Sequence, residues 1–265
     1  HSKTGNVESL GIPGNDANLL SPKGRIYVER EGTAENLPRT NVEIVERGPV
    51  RIRFRVEKIA PAWSIVQEII AAADSPVIEF QTVIQRESSD LFRMGLETPL
   101  FAPVFVHGEA GSFQEKKTLT GLQLNGPVSA NGWSALTWGG NTGGLCLVQE
   151  GRAGIWYGTH ELVAAYRPGT SPYRFACALY PFTGAWREAN LKRYTEELVH
   201  PLLTVQTGEH TGRLPKMHSL IQLVPENVIL GSVRWDSDGR GMLLRLWETA
   251  SRMSRAEVTV GSTIL

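Results

Sequence analysis

The chain has 265 residues, of which 41% are apolar, and its 27 basic and 27 acidic side chains give a formal net charge of zero. That balance argues against a broad cationic surface for nucleic acid or an anionic membrane, whose phosphates favour clustered Lys and Arg. Two cysteines exclude a disulfide framework. The longest aliphatic run, Ile69-Ile70-Ala71-Ala72-Ala73, is far too short for a membrane span. A compact chain of this length hides roughly 70–75% of its unfolded surface and needs no metal or disulfide staple to fold.

The first residues, His1-Ser2-Lys3-Thr4-Gly5, have no apolar core, so no signal peptide is read there. Glycine (27) and proline (15) recur along the whole chain and separate short runs rich in Val, Ile, Phe, Tyr and Trp, the pattern of strands. The first clear run is Val42-Glu43-Ile44-Val45-Glu46, which turns at Arg47-Gly48-Pro49 and continues through 50–57. In that continuation the even positions are apolar while 51, 53 and 55 are Arg, so one strand face is core and the other wet. The Arg row reads either as a carboxylate or phosphate site or, preferably, as a solvated face with cross-strand Glu partners such as Glu43.

Further strands are expected at 65–71, 77–85, 92–96, 145–148, 154–158, 161–166, 173–180, 218–223, 227–235, 242–248 and 256–260. Asp74-Ser75-Pro76 and Asp236-Ser237-Asp238-Gly239 carry turn chemistry: Asp accepts a local backbone bond, Pro fixes φ, and Gly tolerates φ > 0. From Trp186 to Val199 there is no Gly or Pro, and Leu191, Tyr194 and Leu198 share one helical face, which predicts one short helix near 186–199. Many short strands and a single helix predict an all-β chain, a large antiparallel β-sandwich. Residues 1–210 form its main body, and 211–265 are further strands that complete the sandwich or begin a small terminal β subdomain.

Catalytic motifs are scarce. Histidines stand at 1, 107, 160, 200, 210 and 218, and no pair has the close spacing of metal ligands, which argues against a zinc site built wholly within the chain. Cys146 and Cys177 lie in apolar strands and read as small core residues. No Gly-x-Ser-x-Gly elbow exists. Gly139-Gly140-Asn141-Thr142-Gly143-Gly144 is followed by a strand instead of a helix, so it reads as an inter-strand turn and not as a phosphate loop. Asp236-x-Asp238-Gly239 has Trp247 at the twelfth position of a would-be calcium loop, which leaves a hairpin. There are 22 Glu and five Asp (16, 74, 90, 236, 238), and the Asp residues all sit in turn-like context. A glycosidase pair could be built from Glu on different strands, but the sequence names none. Trp133, Trp138, Trp156 and Tyr157 cluster around Gly-rich turns and are candidates to stack on sugar rings, with core packing as the competing role.

Read in order, several pieces resemble glycoside hydrolase family 38, the α-mannosidases. Residues 42–51 resemble its "VEIVERGPVR", and Gln67-Glu68-Ile69 with 73–80 resembles "QEI…ADSPRIEF". Ala178-Leu179-Tyr180-Pro181 and 184–189 resemble "ALYPHxGDWREA", and Pro201-Leu202-Leu203, 224–228 and 244–248 follow further landmarks in the right order. All of them belong to that family's C-terminal β region, so the resemblance implies a supersandwich similar to galactose mutarotase. It also implies a fragment, inactive alone, of a longer enzyme whose N-terminal barrel would hold zinc and the catalytic carboxylates and would be the partner of this domain. No cofactor is implied within this fragment, mannosides are the implied carbohydrate ligand, and self-association into a homo-oligomer is left open.

The family's "LTLLRSP" strand end corresponds here to Val163-Ala164-Ala165-Tyr166-Arg167-Pro168, which makes Arg167 the first candidate for a sugar contact, with a structural ion pair as its alternative. Phe182 and Ala185 stand where the family has His and Asp, and 147–155 depart from "LLNDGKYGY". Both chain ends read as cut. The absence of an Asn-x-Ser/Thr sequon and the two unpaired cysteines lean towards a cytoplasmic protein. Two other readings remain beside the mannosidase one: a stand-alone carbohydrate-binding module, and a purely structural interaction domain. A mutarotase-type epimerase would need a His, such as His107 or His160, converging with a Glu.

Overall fold

The computed structural model describes residues 3–12, 15–20, 24–31, 39–86, 91–118, 127–167, 171–209, 211, 215 and 217–261. His1, Asp90, Pro168 and His210 lie outside the described residues, as does the side chain of Asp16. Chain contacts group into two compact units, His1–Trp186 and Arg187–Leu265. This division precedes the helix, whereas the sequence reading draws its boundary after residue 210.

In the first unit, β1 (Gly11–Ile12) and β2 (Asn15–Asn18) form a short hairpin. The other twelve strands join one antiparallel sheet. They are β3 (Arg25–Arg30), β4 (Arg39–Arg47), β5 (Arg51–Ala60), β6 (Trp63–Ala72), β7 (Ile78–Arg86), β8 (Phe92–Glu97), β9 (Val104–Glu109), β10 (Ser112–Lys117), β11 (Val128–Thr137), β12 (Gly143–Tyr157), β13 (Glu161–Tyr166) and β14 (Tyr173–Thr183). The main path runs β10-β9-β11-β12-β14-β7-β6-β5-β4, and a second branch leaves β12 through β13 and β8 to β3.

The fork lies in β12. Residues 143–149 pair with β14, and 154–157 pair with β13. Glu150, Gly151 and Arg152 at the joint are exposed, and Gly151 has φ 71°, a left-handed backbone that bends the strand. The sequence predicts two strands here, 145–148 and 154–158. The structure has one, because β11 keeps pairing on both sides of the bend, 133–137 with 148–144 and 128–131 with 155–152.

The two branches face each other across one core, which makes the curled sheet a sandwich. Phe80 and Ile84 of β7, Met94 and Leu96 of β8, Leu145 and Leu147 of β12 and Leu162 of β13 belong to a single buried cluster. Trp63 of β6 meets Phe92 of β8 edge to face at 5.9 Å between ring centroids. Alternate residues of each strand supply this core, as the period of two requires. The Arg row of β5 is solvated and ion-paired: Arg51 binds Glu46, Arg53 binds Glu68, and Arg55 binds Glu57. The preferred reading of that row holds, with different Glu partners from the Glu43 it named.

In the second unit α1 (Leu191–Val199) is shorter than the predicted 186–199, because Asn190 sits in the left-handed region at φ 51° and ends the helical backbone there. Its buried positions are Leu191 and Thr195. β15 (Ile221–Val224) pairs with β18 (Glu257–Val260), and β16 (Val228–Trp235) with β17 (Met242–Glu248). The hairpin at Asp236–Gly239 forms as expected, closed by the Asp236 amide donating to the Gly241 carbonyl at 2.8 Å. Among the described residues no helix is long and apolar enough to cross a membrane.

Candidate functional site

Strand alternation gives the branch formed by β12, β13, β8 and β3 an outer face, opposite the core. Three cross-strand rows lie on it: Glu161–Glu97–Arg25, Val163–Gly95–Tyr27 and Ala165–Arg93–Glu29. Trp156 extends the middle row, since it pairs with Val163. Arg167 stands one residue beyond the end of β13 and continues the series Glu161, Val163, Ala165. Of the sequence candidates, Trp156 lies on this face, and Arg167 follows the end of the strand that carries it.

The face is built from stacked side chains. Tyr27 lies flat over Gly95, where an added Cβ would stand 2.1 Å from Tyr27 Cζ, so only glycine fits beneath that ring. The Arg25 guanidinium lies over the same ring at 4.3 Å from its centroid. Glu97 holds that guanidinium in a fork, with Arg25 Nε donating to Oε2 and Nη2 to Oε1, both at 3.1 Å. Burial, reinforced by Glu29, pushes the Tyr27 phenol up to about 12. Arg93 lies 6.0 Å from the Trp156 ring centroid and is ion-paired to Glu31.

Glu161 stands opposite Glu97 across the β13–β8 ladder. Burial, and next the Glu97 charge, hold its carboxyl above the usual carboxylate range. Directly opposed residues of an antiparallel pair bring their Cβ atoms to roughly 4.5–5.5 Å, a spacing that invites comparison with a retaining glycosidase pair. Glu97, however, has both oxygens engaged in the Arg25 fork, which lowers their nucleophilicity. The pair suits hydrogen bonding to hydroxyl groups, whose O–H groups can donate to the Glu161 oxygens. Arg25, Tyr27, Arg93, Glu97 and Glu161 escape sequence reasoning because only the strand register brings them together, and no local spacing marks them.

The remaining candidates lie elsewhere. Trp133 is buried at 4% exposure beside Trp186, with 6.1 Å between ring centroids. Tyr157 is equally buried and stacks on Phe105 at 3.9 Å and 7° between planes. Trp138 is half-buried against the core cluster. Arg167 is exposed and makes no hydrogen bond or ion pair with any other described residue. His107 is buried on β9, where burial lowers its pKa and both ring nitrogens lack a described partner, whereas His160 is exposed and binds the Leu100 carbonyl through Nδ1 at 3.2 Å.

Cys146 and Cys177 are free, buried thiols whose pKa burial drives far upward, as inert core cysteines require. Among the described residues no group of three or more His, Cys, Asp or Glu is placed to hold a metal ion, so these residues do not fit a zinc site.

No protein-family model and no curated protein matches the sequence. The fold does match solved structures. A glycosyl hydrolase family 38 protein from Enterococcus faecalis superposes with a TM-score of 0.70 at 12% identity, over 85% of this chain and 32% of that one. An alpha-mannosidase from Enterococcus faecalis V583 gives a TM-score of 0.70 at 11% identity, over 85% of this chain and 31% of that one. The chain thus spans about a third of the length of either, and it shares their fold in that part.

Proposed function

We propose that the chain is the β region of an α-mannosidase-like glycoside hydrolase. In this reading a barrel on the same longer polypeptide carries zinc and hydrolyses α-mannosidic bonds, while this domain packs on the barrel and helps shape the sugar site. The observation that carries it is the fold likeness over 85% of the chain, at a TM-score of 0.70, to a glycosyl hydrolase family 38 protein and an alpha-mannosidase. The ordered sequence landmarks between residues 42 and 248 point the same way.

The outer face of β12, β13, β8 and β3 is the surface this reading assigns to sugar. Arg167 has its fixed donor fork free of described partners, and Trp156 offers a half-buried ring beside Arg93. Hydrolysis itself is assigned to the barrel, because Glu97 is committed to Arg25 and the described residues assemble no metal group.

The test is the reading frame upstream of residue 1. A barrel-sized segment containing a His-x-Asp zinc motif supports the proposal, and a frame without one removes it. Hydrolysis of an aryl α-mannoside by the 265-residue chain alone, surviving repurification, would equally overturn the division of labour.

A further inference from the structure

The other branch of the sheet carries a groove unrelated to the face described above. It lies on the outer side of β6, β7, β14 and β12, with a volume of about 400 Å³, within the roughly 300–1,000 Å³ of small-molecule sites. Two cross-strand rows build it, Val66–Val83–Arg174 and Glu68–Gln81–Ala176, and Glu150 at the bend of β12 closes one side. Val66, Val83 and Ala176 form the aliphatic part of the lining, and its polar part has two carboxylates, one amide and one guanidinium.

The rim groups differ in how far they are engaged. Glu68 is held by Arg53, whose Nη1 donates to Oε2 at 3.2 Å. Gln81, Glu150 and Arg174 are exposed and make no hydrogen bond or ion pair with any other described residue. Counting Arg53, the local charge balances, two carboxylates against two guanidinium groups. A balanced lining gives no net attraction to an anion or a cation, and it sets hydrogen-bond donors and acceptors beside aliphatic side chains. A pyranose has the complementary surface: a patch of C–H groups for Val66 and Val83, and a ring of hydroxyls that donate to carboxylates and accept from Arg and Gln.

We propose that this groove is a non-catalytic binding site for a neutral saccharide. It does not rest on the mannosidase reading, because every group in it belongs to this chain's own sheet.

The experiment is a titration of the 265-residue chain, followed by backbone amide NMR, with mannobiose, maltose and lactose as neutral probes and glucuronate and inorganic phosphate as charged ones. At least one neutral disaccharide should saturate, with shifts confined to amides of 66–68, 81–83, 150 and 174–176, and both anions should bind about tenfold more weakly or not at all. Arg174→Ala and Gln81→Ala, both at exposed positions, should each weaken binding about tenfold or more, while Lys117→Ala, exposed at the end of edge strand β10, leaves it unchanged. The proposal is overturned if no neutral probe saturates, if shifts map to the Trp156 face, if an anion binds best, or if Arg174→Ala binds as the unaltered chain does. Saccharide binding at this groove, with no barrel found upstream, would uphold this site while removing the proposed function; the reverse result would do the opposite.

Discussion

The Lys58 ammonium donates to the Val28 carbonyl at 2.9 Å, and so ties β5 to β3, two strands that share no ladder. The Asn6 side-chain oxygen accepts a second bond at 3.1 Å. Neither partner is an acid, so the buried ammonium is solvated by neutral oxygens alone, and burial lowers its pKa to about 8.

A folded pKa near 8 against an unfolded value of 10.5 means that the unfolded chain binds more protons between those values. Stability contributed by this group therefore rises with pH across that window; below pH 8 the full burden of burying the charge is present. We expect the difference in unfolding free energy between the unaltered chain and Lys58→Met to move in favour of the unaltered chain between about pH 8 and 10, by up to about 3 kcal/mol. Urea unfolding at several pH values checks this, and a difference independent of pH would show that the ammonium is not desolvated.

Gly95 beneath Tyr27 gives a second test. Gly95→Ala should displace the ring and loosen the Arg25–Glu97 fork above it, at a loss of about 1–3 kcal/mol. Gly139→Ala, at a site with open space and no positive φ, should be close to neutral. The loss at Gly95 should shrink when Tyr27 is already Ala, so a double-mutant cycle from thermal unfolding separates the specific overlap from a general glycine effect.

The same contacts show what the sequence could reveal. β4 to β8 and β13 to β18 were legible because Val, Ile, Phe and Tyr alternate with charged residues between turn signals. β11 was not: Ala130, Ser134 and Ala135 are fully buried in a central strand, where small residues fit and strand propensity carries no signal. β10 reads Ser-Phe-Gln-Glu-Lys-Lys, an edge strand without alternation of apolar residues. β3 is a short edge strand, β9 lies between β10 and β11, which were themselves hidden, and the gap expected between 148 and 154 is a bend at Gly151 within β12. The candidate face was half legible. Family likeness marked Arg167 and aromatic clustering marked Trp156, but the Glu97–Glu161 and Tyr27–Gly95 pairs exist only through the register of β3, β8 and β13.

Burial separates the aromatic candidates into two classes with different mutant behaviour. Trp133→Ala and Tyr157→Ala remove rings packed on Trp186 and Phe105 and should lose about 3–5 kcal/mol of stability each. Trp156→Ala removes a half-buried ring beside Arg93 and should lose only about 1–2 kcal/mol. If Trp156 touches sugar in the proposed longer enzyme, its Ala variant should raise KM for an aryl mannoside, with a smaller fall in melting temperature than Trp133→Ala gives. A fall in melting temperature as large as that of Trp133→Ala would instead make Trp156 a core residue.

In the second unit the decisive group is the Asn227–Glu248 pair. Asn227 is buried, and its Nδ2 donates to Glu248 Oε1 at 2.6 Å and to Ser254 Oγ at 2.8 Å. Glu248 also accepts from the Ala250 amide at 2.8 Å and the Arg252 amide at 3.0 Å. Partial burial opposes the ionised carboxyl, but these donors outweigh it and hold its pKa below the ordinary value of 4.5. A lowered folded value means the stabilisation is complete above the unfolded pKa and disappears as pH falls through the folded one. Asn227→Ala strands a charged acceptor and should lose about 1–3 kcal/mol at neutral pH. Glu248→Gln keeps the Asn227 contact geometry but removes the charge, so its deficit should vanish in acid while that of Asn227→Ala persists in part, through the lost Ser254 bond. Fluorescence-detected unfolding across the acid range, read from Trp235 and Trp247 with the other tryptophans as background, measures both; an equal deficit at all pH values for Glu248→Gln would show that the carboxylate charge does not hold this turn together.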